Sequence, residues 1–265
     1  MKCTFPASIV FLAYLVQSAT ALPPVPARAL DPEVAKSYEL RKIKGMNVYV
    51  ERELLDAGEK VVDDALNCLE QRIDEVMKVI PTKHLAHFQK LCIWVVWDNS
   101  PTFIKASIPH GSSRYMTKNS DKTGDPIEDA KKGGIEVPAV YMLLEPKLSL
   151  TMHYFQYWLI HEFAHAYHDQ VLGYDDLQIE RAYLAAKERK LYDSVETKFM
   201  NGDRKIELIT MPAYANANQY EYFAELSMKY FTTSSSFPYN RIDLKKHDPT
   251  GYKLMEETWG KIDSK

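Results

Sequence analysis

A five-residue motif within an apolar segment constrains this chain more than any other feature of its sequence. The motif is His161-Glu162-Phe163-Ala164-His165, and it lies within Ser149–Leu172, a segment with almost no polar residues on any helical face. Such a pattern predicts a buried helix, and Gly173 follows it where a left-handed C-cap is expected. Two histidines and a carboxylate are costly to bury unless something satisfies them. The motif therefore predicts a metal site on a buried helix.

The spacing within the motif suits zinc. His161 and His165 are four residues apart, so their rings lie on one helical face, about 6 Å from each other, and can reach one ion. Glu162 is rotated from His161 by about 100°. This rotation sets its carboxylate beside the open coordination position, where it can take a proton from water. We expect one zinc ion per chain, with Glu162 as general base.

A catalytic zinc site needs a third protein ligand. The metzincin pattern is excluded, because His168 and Val171 occupy the positions where it requires Gly and His. His168 shares the face of the two histidines, but it lies about 10.5 Å from His161 along a straight helix. Ligation by His168 would therefore be strained, and an outer or structural role is favoured. Glu221 is the better candidate, because Glu225 follows it at i+4 and can orient a histidine ligand.

These motifs resemble those of the gluzincin clan of metallopeptidases, and most closely those of the lethal-factor-type family. The resemblance covers roughly residues 150 to 235 and rests on the helix motif and on Glu221-Tyr-Phe-Ala-Glu225, with Tyr214 seven residues before it. Tyr222 replaces the first aromatic residue of the family motif. His168 stands where an acidic residue is common in these relatives.

The resemblance implies a role for each residue of the site. The implied zinc ligands are His161, His165 and Glu221. Glu162 would be the general base, Tyr214 the residue that stabilises the transition state, and Glu225 the outer carboxylate. Tyr214 also makes chemical sense by itself, because a phenol beside zinc can donate a hydrogen bond to an oxyanion, typically worth about 2.7 to 4 kcal/mol. The other interpretation of Tyr214 is a residue that only packs.

The remaining pattern predicts an α+β fold. Helical periodicity extends from Leu54 to Ile80, and an apolar, β-branched run at residues 91–97 indicates a buried strand. A second strand is expected over Ile135–Leu144, at a sheet edge because it contains Pro138. Further helices are expected over Asp175–Lys198, Gln219–Phe231 and 252–260. We expect a gluzincin-like domain with a small mixed sheet, an edge strand over the buried helix, and a helical C-terminal half.

The N-terminal residues indicate export. Residues 1–21 have the charged, apolar and small-residue order of a secretory signal peptide. Residues 22–40 read as a proline-rich leader, and 41–265 as the metallopeptidase domain. A secreted, extracellular protein is expected, in which Cys68 and Cys92 can form a disulfide. The other interpretation is two buried, reduced thiols, because both lie in apolar stretches. The net charge is −3 and the charged residues are dispersed along the sequence, so there is no basic patch that would bind nucleic acid or an anionic membrane surface. Neither partner is expected.

The predicted function is hydrolysis of peptide bonds in a peptide or protein substrate by water activated at zinc. A catalytically silent relative that keeps the scaffold for binding is an alternative, but such a protein would have no need of Glu162. A zinc hydrolase of a non-peptide amide is a second alternative. The sequence names no substrate.

Overall fold

The computed structural model describes residues 31–97, 113–144, 157–200 and 205–262. The expected signal peptide and the first part of the leader lie outside the described residues. Residues 98–112 of the expected loops and the first residues of the predicted buried helix, 149–156, also lie outside them.

The described residues include a five-stranded mixed sheet. Its strands are β1 (Tyr38–Ile43), β2 (Met46–Glu51), β3 (Cys92–Val96), β4 (Arg114–Tyr115) and β5 (Ile135–Pro138). Their order across the sheet is β1-β2-β3-β5-β4. β2, β3 and β5 run parallel, whereas the outer strands β1 and β4 are antiparallel to their neighbours. The described elements thus form a mixed α+β fold.

Both faces of the sheet are covered. Successive residues of β3 point to opposite faces, so Ile93 and Val95 join the main core. Trp94 points to the other face, where its ring stacks on Tyr49 at 4.2 Å between centroids and meets Tyr38 edge-on at 5.1 Å. The strand predicted at residues 91–97 is confirmed as buried.

The helix predicted over Leu54–Ile80 is confirmed, but it is divided in two. Helix α2 spans Arg52–Asp56 and α3 spans Glu59–Val79. The division falls at Gly58, whose φ of 109° is a conformation that side chains disfavour. α3 buries one face against the main core, with residues Val62, Ala65, Leu69, Ile73 and Val76.

The folded part begins earlier than the expected domain boundary at residue 41. Helix α1 (Pro32–Ser37) and strand β1 both contain residues of the expected leader. Val34 is completely buried and Tyr38 is 3 % exposed, both in the aromatic cluster around Trp94. The proline-rich pattern did not predict this, because Pro32 is also favourable in the first turn of a helix.

The expected disulfide is absent, since Cys68 and Cys92 are both free. Cys68 on α3 packs against the main core, whereas Cys92 packs with the cluster around Trp94. The two thiols therefore belong to opposite faces of the sheet, which explains why they are not joined.

The strand predicted over Ile135–Leu144 is shorter than expected, and it lies between β3 and β4 and not at the edge of the sheet. β5 ends at Pro138, and residues Val140–Leu144 form a π-helical turn instead of continuing the strand. Among the described residues, the last strand in the sheet is β4, which pairs with Ile135 and Glu136. Pro138 lies beyond this short pairing, so its missing N–H removes no hydrogen bond to β4.

The C-terminal half is mostly helical. Helix α4 (Thr82–Phe88) and helix α5 (Pro126–Lys131) precede the buried helix α6 (Trp158–Tyr167), which ends in a π-helical turn, His168–Leu172. The helical segment ends at Gly173, as predicted, and φ there is positive at 91°, but its ψ of 136° is not that of the left-handed cap that was expected. Helices α7 (Leu177–Glu188), α8 (Gln219–Phe231), α9 (Arg241–His247) and α10 (Pro249–Trp259) complete it. In the described ranges no helix combines the length and the apolar character needed to cross a membrane.

The prediction of one helix over Asp175–Lys198 is wrong in its second half. α7 ends at Glu188, and Lys190 adopts a left-handed φ of 55°. The chain then forms a hairpin of β6 (Val195–Met200) and β7 (Ile206–Met211). Val195 and Thr197 are buried while Glu196 and Lys198 are exposed, which is the period-2 pattern of a strand. The predicted helices at 219–231 and near the C-terminus are confirmed.

Candidate metal centre

Helix α6 places both motif histidines in one buried position. Every residue of this helix is buried, including His161 at 6 % and His165 at 8 % exposure. Because they are one turn apart, the rings approach to 4.7 Å between centroids, and their Nε2 atoms are 3.0 Å apart. Two imidazole nitrogens thus face each other within the protein, as the spacing of the motif predicts.

Helix α8 brings Glu221 to the same point. Its N-terminus is fixed by Asn218, whose side chain accepts hydrogen bonds of 2.9 Å from the backbone N–H groups of Tyr220 and Glu221. Glu221 Oε2 lies 3.0 Å from His161 Nε2 and 3.2 Å from His165 Nε2. The three predicted ligands are therefore together, and they form the one group of potential metal ligands found among the described residues.

The separations of these three atoms fit a zinc site. A tetrahedral zinc ion with bonds of about 2.0 to 2.1 Å holds its ligand atoms about 3.3 Å apart. The observed separations of 3.0 to 3.2 Å are close to that value. Two imidazoles with one carboxylate are also a common ligand set of catalytic zinc. The residues fit the metal that the sequence predicts.

Glu225, one turn after Glu221, lies behind the His161 ring, on the side away from the other ligands. Its Oε1 is 3.3 Å from His161 Nδ1, the ring nitrogen that faces away from the ligand cluster. Its Oε2 accepts a 2.6 Å hydrogen bond from Lys229 Nζ, which also contacts Ser234 Oγ at 3.2 Å. Glu225 and Lys229 are completely buried. The carboxylate predicted to orient a ligand is therefore next to the His161 ring, but the contact does not have hydrogen-bond geometry, since His161 Nδ1 has no hydrogen-bond partner among the described residues.

The electrostatics of the cluster follow from burial and from opposite charges. Burial lowers the pKa of His161, but the carboxylates of Glu221 and Glu225 outweigh this and raise it to about 10. For Glu225, burial acts to raise the pKa, but Lys229 and His161 bring it down to about 2. The two histidines likewise hold the pKa of Glu221 well below its usual range, against the effect of burial. Both carboxylates are therefore anionic at neutral pH.

Glu162 is buried beside the two histidines, at 6 % exposure. Burial raises the pKa of its carboxyl group, although His161 and His165 partly oppose the shift. Its Oε1 accepts a 3.0 Å hydrogen bond from the Ser113 hydroxyl group. Ser113 was not predicted, because it belongs to a polar segment without periodicity, and a single serine there carries no signal.

Tyr214 lies at the open side of the cluster. It begins a short 3₁₀ turn, Tyr214–Asn216, and its ring stacks on that of His161 with 5.9 Å between centroids and 15° between planes. Half of its surface is exposed. Partial burial and the Glu221 carboxylate raise the pKa of Tyr214, so its hydroxyl group stays protonated at neutral pH.

His168 is completely buried but does not support the ligands by hydrogen bonding. Neither of its ring nitrogens has a hydrogen-bond partner among the described residues. The ring contacts those of Tyr174, Tyr220 and Phe223, with centroids 5.0 to 5.6 Å away. Burial lowers its pKa to about 4, and His165 adds to this. An outer role of His168 would need a hydrogen bond towards the ligands, and none is found among the described residues. Aromatic rings surround the imidazole instead.

Comparison with protein-family models, with curated proteins and with solved structures finds no match. What can be said of this site therefore depends on the chain's own residues.

Proposed function

We propose that the chain is a zinc-dependent endopeptidase that hydrolyses peptide bonds with water. The convergence of His161 Nε2, His165 Nε2 and Glu221 Oε2 beside the buried Glu162 carboxylate is the observation that carries this proposal. Zinc, when bound there, would polarise the substrate carbonyl and lower the pKa of water. The separations of the ligand atoms and the mixed imidazole and carboxylate set support zinc over a harder metal.

Glu162 is proposed to accept the proton of the attacking water and to pass it to the leaving amine. It follows a ligand directly in sequence, so the helix holds its carboxylate next to the ligand cluster. Its raised pKa brings the carboxyl group closer to the pH at which it works, which favours exchange of a proton in both directions.

Tyr214 is proposed to stabilise the negative charge that develops on the carbonyl oxygen. Its ring stacks on His161, so its position relative to the ligands is defined. Its hydroxyl group stays protonated and can therefore donate a hydrogen bond. Half of the side chain is exposed, which leaves it accessible to substrate.

The fold is proposed to be gluzincin-like, in the sense of the lethal-factor-type resemblance. Helix α8 supplies a ligand and, one turn later, the carboxylate behind His161. Tyr214 precedes that ligand by the seven residues of the family motif. A peptide in extended form is the proposed substrate, because β4 is the last strand of the sheet and Ser113, next to it, contacts Glu162.

A cleavage profile of the zinc-loaded protein on a broad peptide library tests the proposal. Wild type should cleave internal peptide bonds, and Glu162→Gln should bind zinc equally but cleave nothing above background. Equal inactivity of the two zinc-loaded proteins would contradict the proposal and favour a binding protein. Cleavage confined to non-peptide amides would favour a different hydrolase.

A further inference from the structure

We propose that Ser113 is a positioning residue, which holds one oxygen of Glu162 so that the other oxygen faces the proton it is to accept. This inference rests on the function proposed above. The Ser113 hydroxyl group donates a 3.0 Å hydrogen bond to Glu162 Oε1, and both side chains are 6 % exposed. A buried hydrogen bond to a carboxylate restricts its rotation.

The hydrogen bond distinguishes the two carboxylate oxygens. In the described part of the chain, the Ser113 hydroxyl group is the hydrogen-bond donor found for the Glu162 side chain. A carboxylate oxygen that already accepts a hydrogen bond is the less basic of the two, so Oε2 is the oxygen favoured to take a proton. A general base needs both a suitable pKa and a defined position within hydrogen-bond reach of its proton. Ser113 supplies the position.

The chain around Ser113 is fastened to the end of the motif helix. Strand β4 begins directly after it, and the Tyr115 hydroxyl group donates a 2.7 Å hydrogen bond to Asp169 Oδ2. The same hydroxyl accepts a 2.9 Å hydrogen bond from Gln170 Nε2, and the Lys118 backbone N–H donates to Asp169 Oδ2 at 2.8 Å. Asp169 and Gln170 belong to the π-helical turn that continues α6.

Two contacts, one at Ser113 and one at Tyr115, therefore join β4 to the helix that bears Glu162. The first reaches the beginning of the motif, and the second reaches the turn after it. This clamp fixes the backbone of Ser113, so its hydroxyl group is already in place before any substrate binds. Preorganisation of this kind is what a supporting residue contributes to a site.

Two substitutions of Ser113 distinguish a positioning role from one in which the hydroxyl group only provides a hydrogen bond to a buried carboxylate. Ser113→Ala removes the hydroxyl group, and Ser113→Thr retains it. Ser120→Ala is the matched control, because this exposed serine, in the segment that follows β4, donates only to the Thr117 carbonyl oxygen. Tyr115→Phe loosens the clamp without touching Glu162. Each protein is tested for binding of acetohydroxamate to its zinc-loaded form by calorimetry, and its Glu162 conformer is determined crystallographically with and without zinc.

Acetohydroxamic acid loses its hydroxyl proton when it binds zinc as the hydroxamate anion, and Glu162 is the proposed acceptor of that proton. Its affinity therefore reports the placement of Glu162 and needs no substrate. Ser113→Ala should raise its Kd about 3- to 10-fold, as expected for the loss of one hydrogen bond. In crystals of Ser113→Ala, the Glu162 carboxylate should also be found in a different conformer or in more than one. Ser113→Thr and Ser120→Ala should match wild type within about twofold, and Tyr115→Phe should weaken binding in the same direction as Ser113→Ala but less.

On a cleaved peptide, Ser113→Ala should lower kcat about 10-fold with little change in KM, because the hydroxyl group acts on the base and not on the substrate. Unchanged acetohydroxamate affinity together with an unchanged Glu162 conformer in Ser113→Ala would overturn the proposal. If wild type cleaves no peptide, the function proposed above fails, whereas the conformer and acetohydroxamate comparisons still decide the role of Ser113.

Discussion

Lys229 Nζ lies 2.6 Å from Glu225 Oε2, and both side chains are completely buried behind the His161 ring. A buried charge that loses its partner is costly, because the remaining ion keeps its desolvation penalty. Lys229→Met should therefore reduce the free energy of unfolding of the metal-free protein by about 3 to 5 kcal/mol. Urea denaturation measures this value.

Lys253→Met is the matched control for that experiment. Lys253 and Glu257 have the same i,i+4 spacing, but both are exposed and their charged atoms are 3.5 Å apart. This exposed pair should contribute at most a small stabilisation. Equal destabilisation by the two substitutions would show that the buried pair contributes no more to the free energy of unfolding than the exposed pair.

The ligand assignment predicts different zinc contents for variants of two buried residues. Glu221→Ala removes a ligand atom and should abolish stoichiometric zinc binding, since two histidines alone leave the site incomplete. His168→Phe should retain about one zinc per chain, because its ring nitrogens bond to no described residue. Elemental analysis after dialysis measures both. Equal zinc loss in the two variants would reject Glu221 as the distinguishing ligand.

The sequence predicted the ligand cluster because its members are set by helical geometry. His161 and His165 share a face by their spacing, and Glu221 and Glu225 do so on a second apolar helix. Helix contacts between α6 and α8 then bring the two pairs together. Periodicity also predicted the strand at 91–97 and most helix positions.

Features that depend on tertiary contacts were not predictable in this way. Ser113 reaches Glu162 from 49 residues away, and nothing in its local sequence marks it. Lys229 stands at i+4 from Glu225, a spacing that usually indicates a solvated pair, yet here it is fully buried. The alternation of buried Val195 and Thr197 with exposed Glu196 and Lys198 covers only four residues. The hairpin of β6 and β7 was therefore missed, because the helix that precedes it made a continued helix the simpler interpretation.

The pH dependence of stability should reveal the buried His84. Its ring meets Tyr167 and Trp259 edge-on, and burial lowers its pKa below the unfolded value of 6.5, with Lys83 adding to the shift. The unfolded chain therefore binds a proton that the folded chain resists. The stability contributed by neutral His84 is complete above pH 6.5 and is lost as the pH falls below that value.

His84→Phe tests this assignment, because phenylalanine keeps an aromatic ring and cannot be protonated. Between pH 6.5 and the lowered pKa, the unfolding free energy of wild type should decrease relative to that of the variant by up to about 1.4 kcal/mol per pH unit. Urea denaturation of the metal-free proteins at several pH values gives this difference. A difference that stays constant with pH would mean that His84 titrates alike in both states.

Tyr214→Phe separates a catalytic phenol from one that only packs. The substitution retains the ring, and with it the stacking on His161, but removes the hydroxyl group that is proposed to donate a hydrogen bond to the carbonyl oxygen. The negative charge on that oxygen develops in the transition state, so the loss should appear in turnover and not in substrate binding.

We expect kcat of Tyr214→Phe to fall about 10²- to 10³-fold, with KM changed little and zinc content unchanged. Steady-state kinetics on the best peptide from the library measures both constants. Tyr183→Phe is a suitable control, because its hydroxyl group donates to the Asn216 carbonyl oxygen of the same 3₁₀ turn. A modest loss that is the same in both variants would indicate that the turn is merely displaced. Since the ring of Tyr214 remains in place, a large loss confined to its kcat identifies the hydroxyl group as the oxyanion donor.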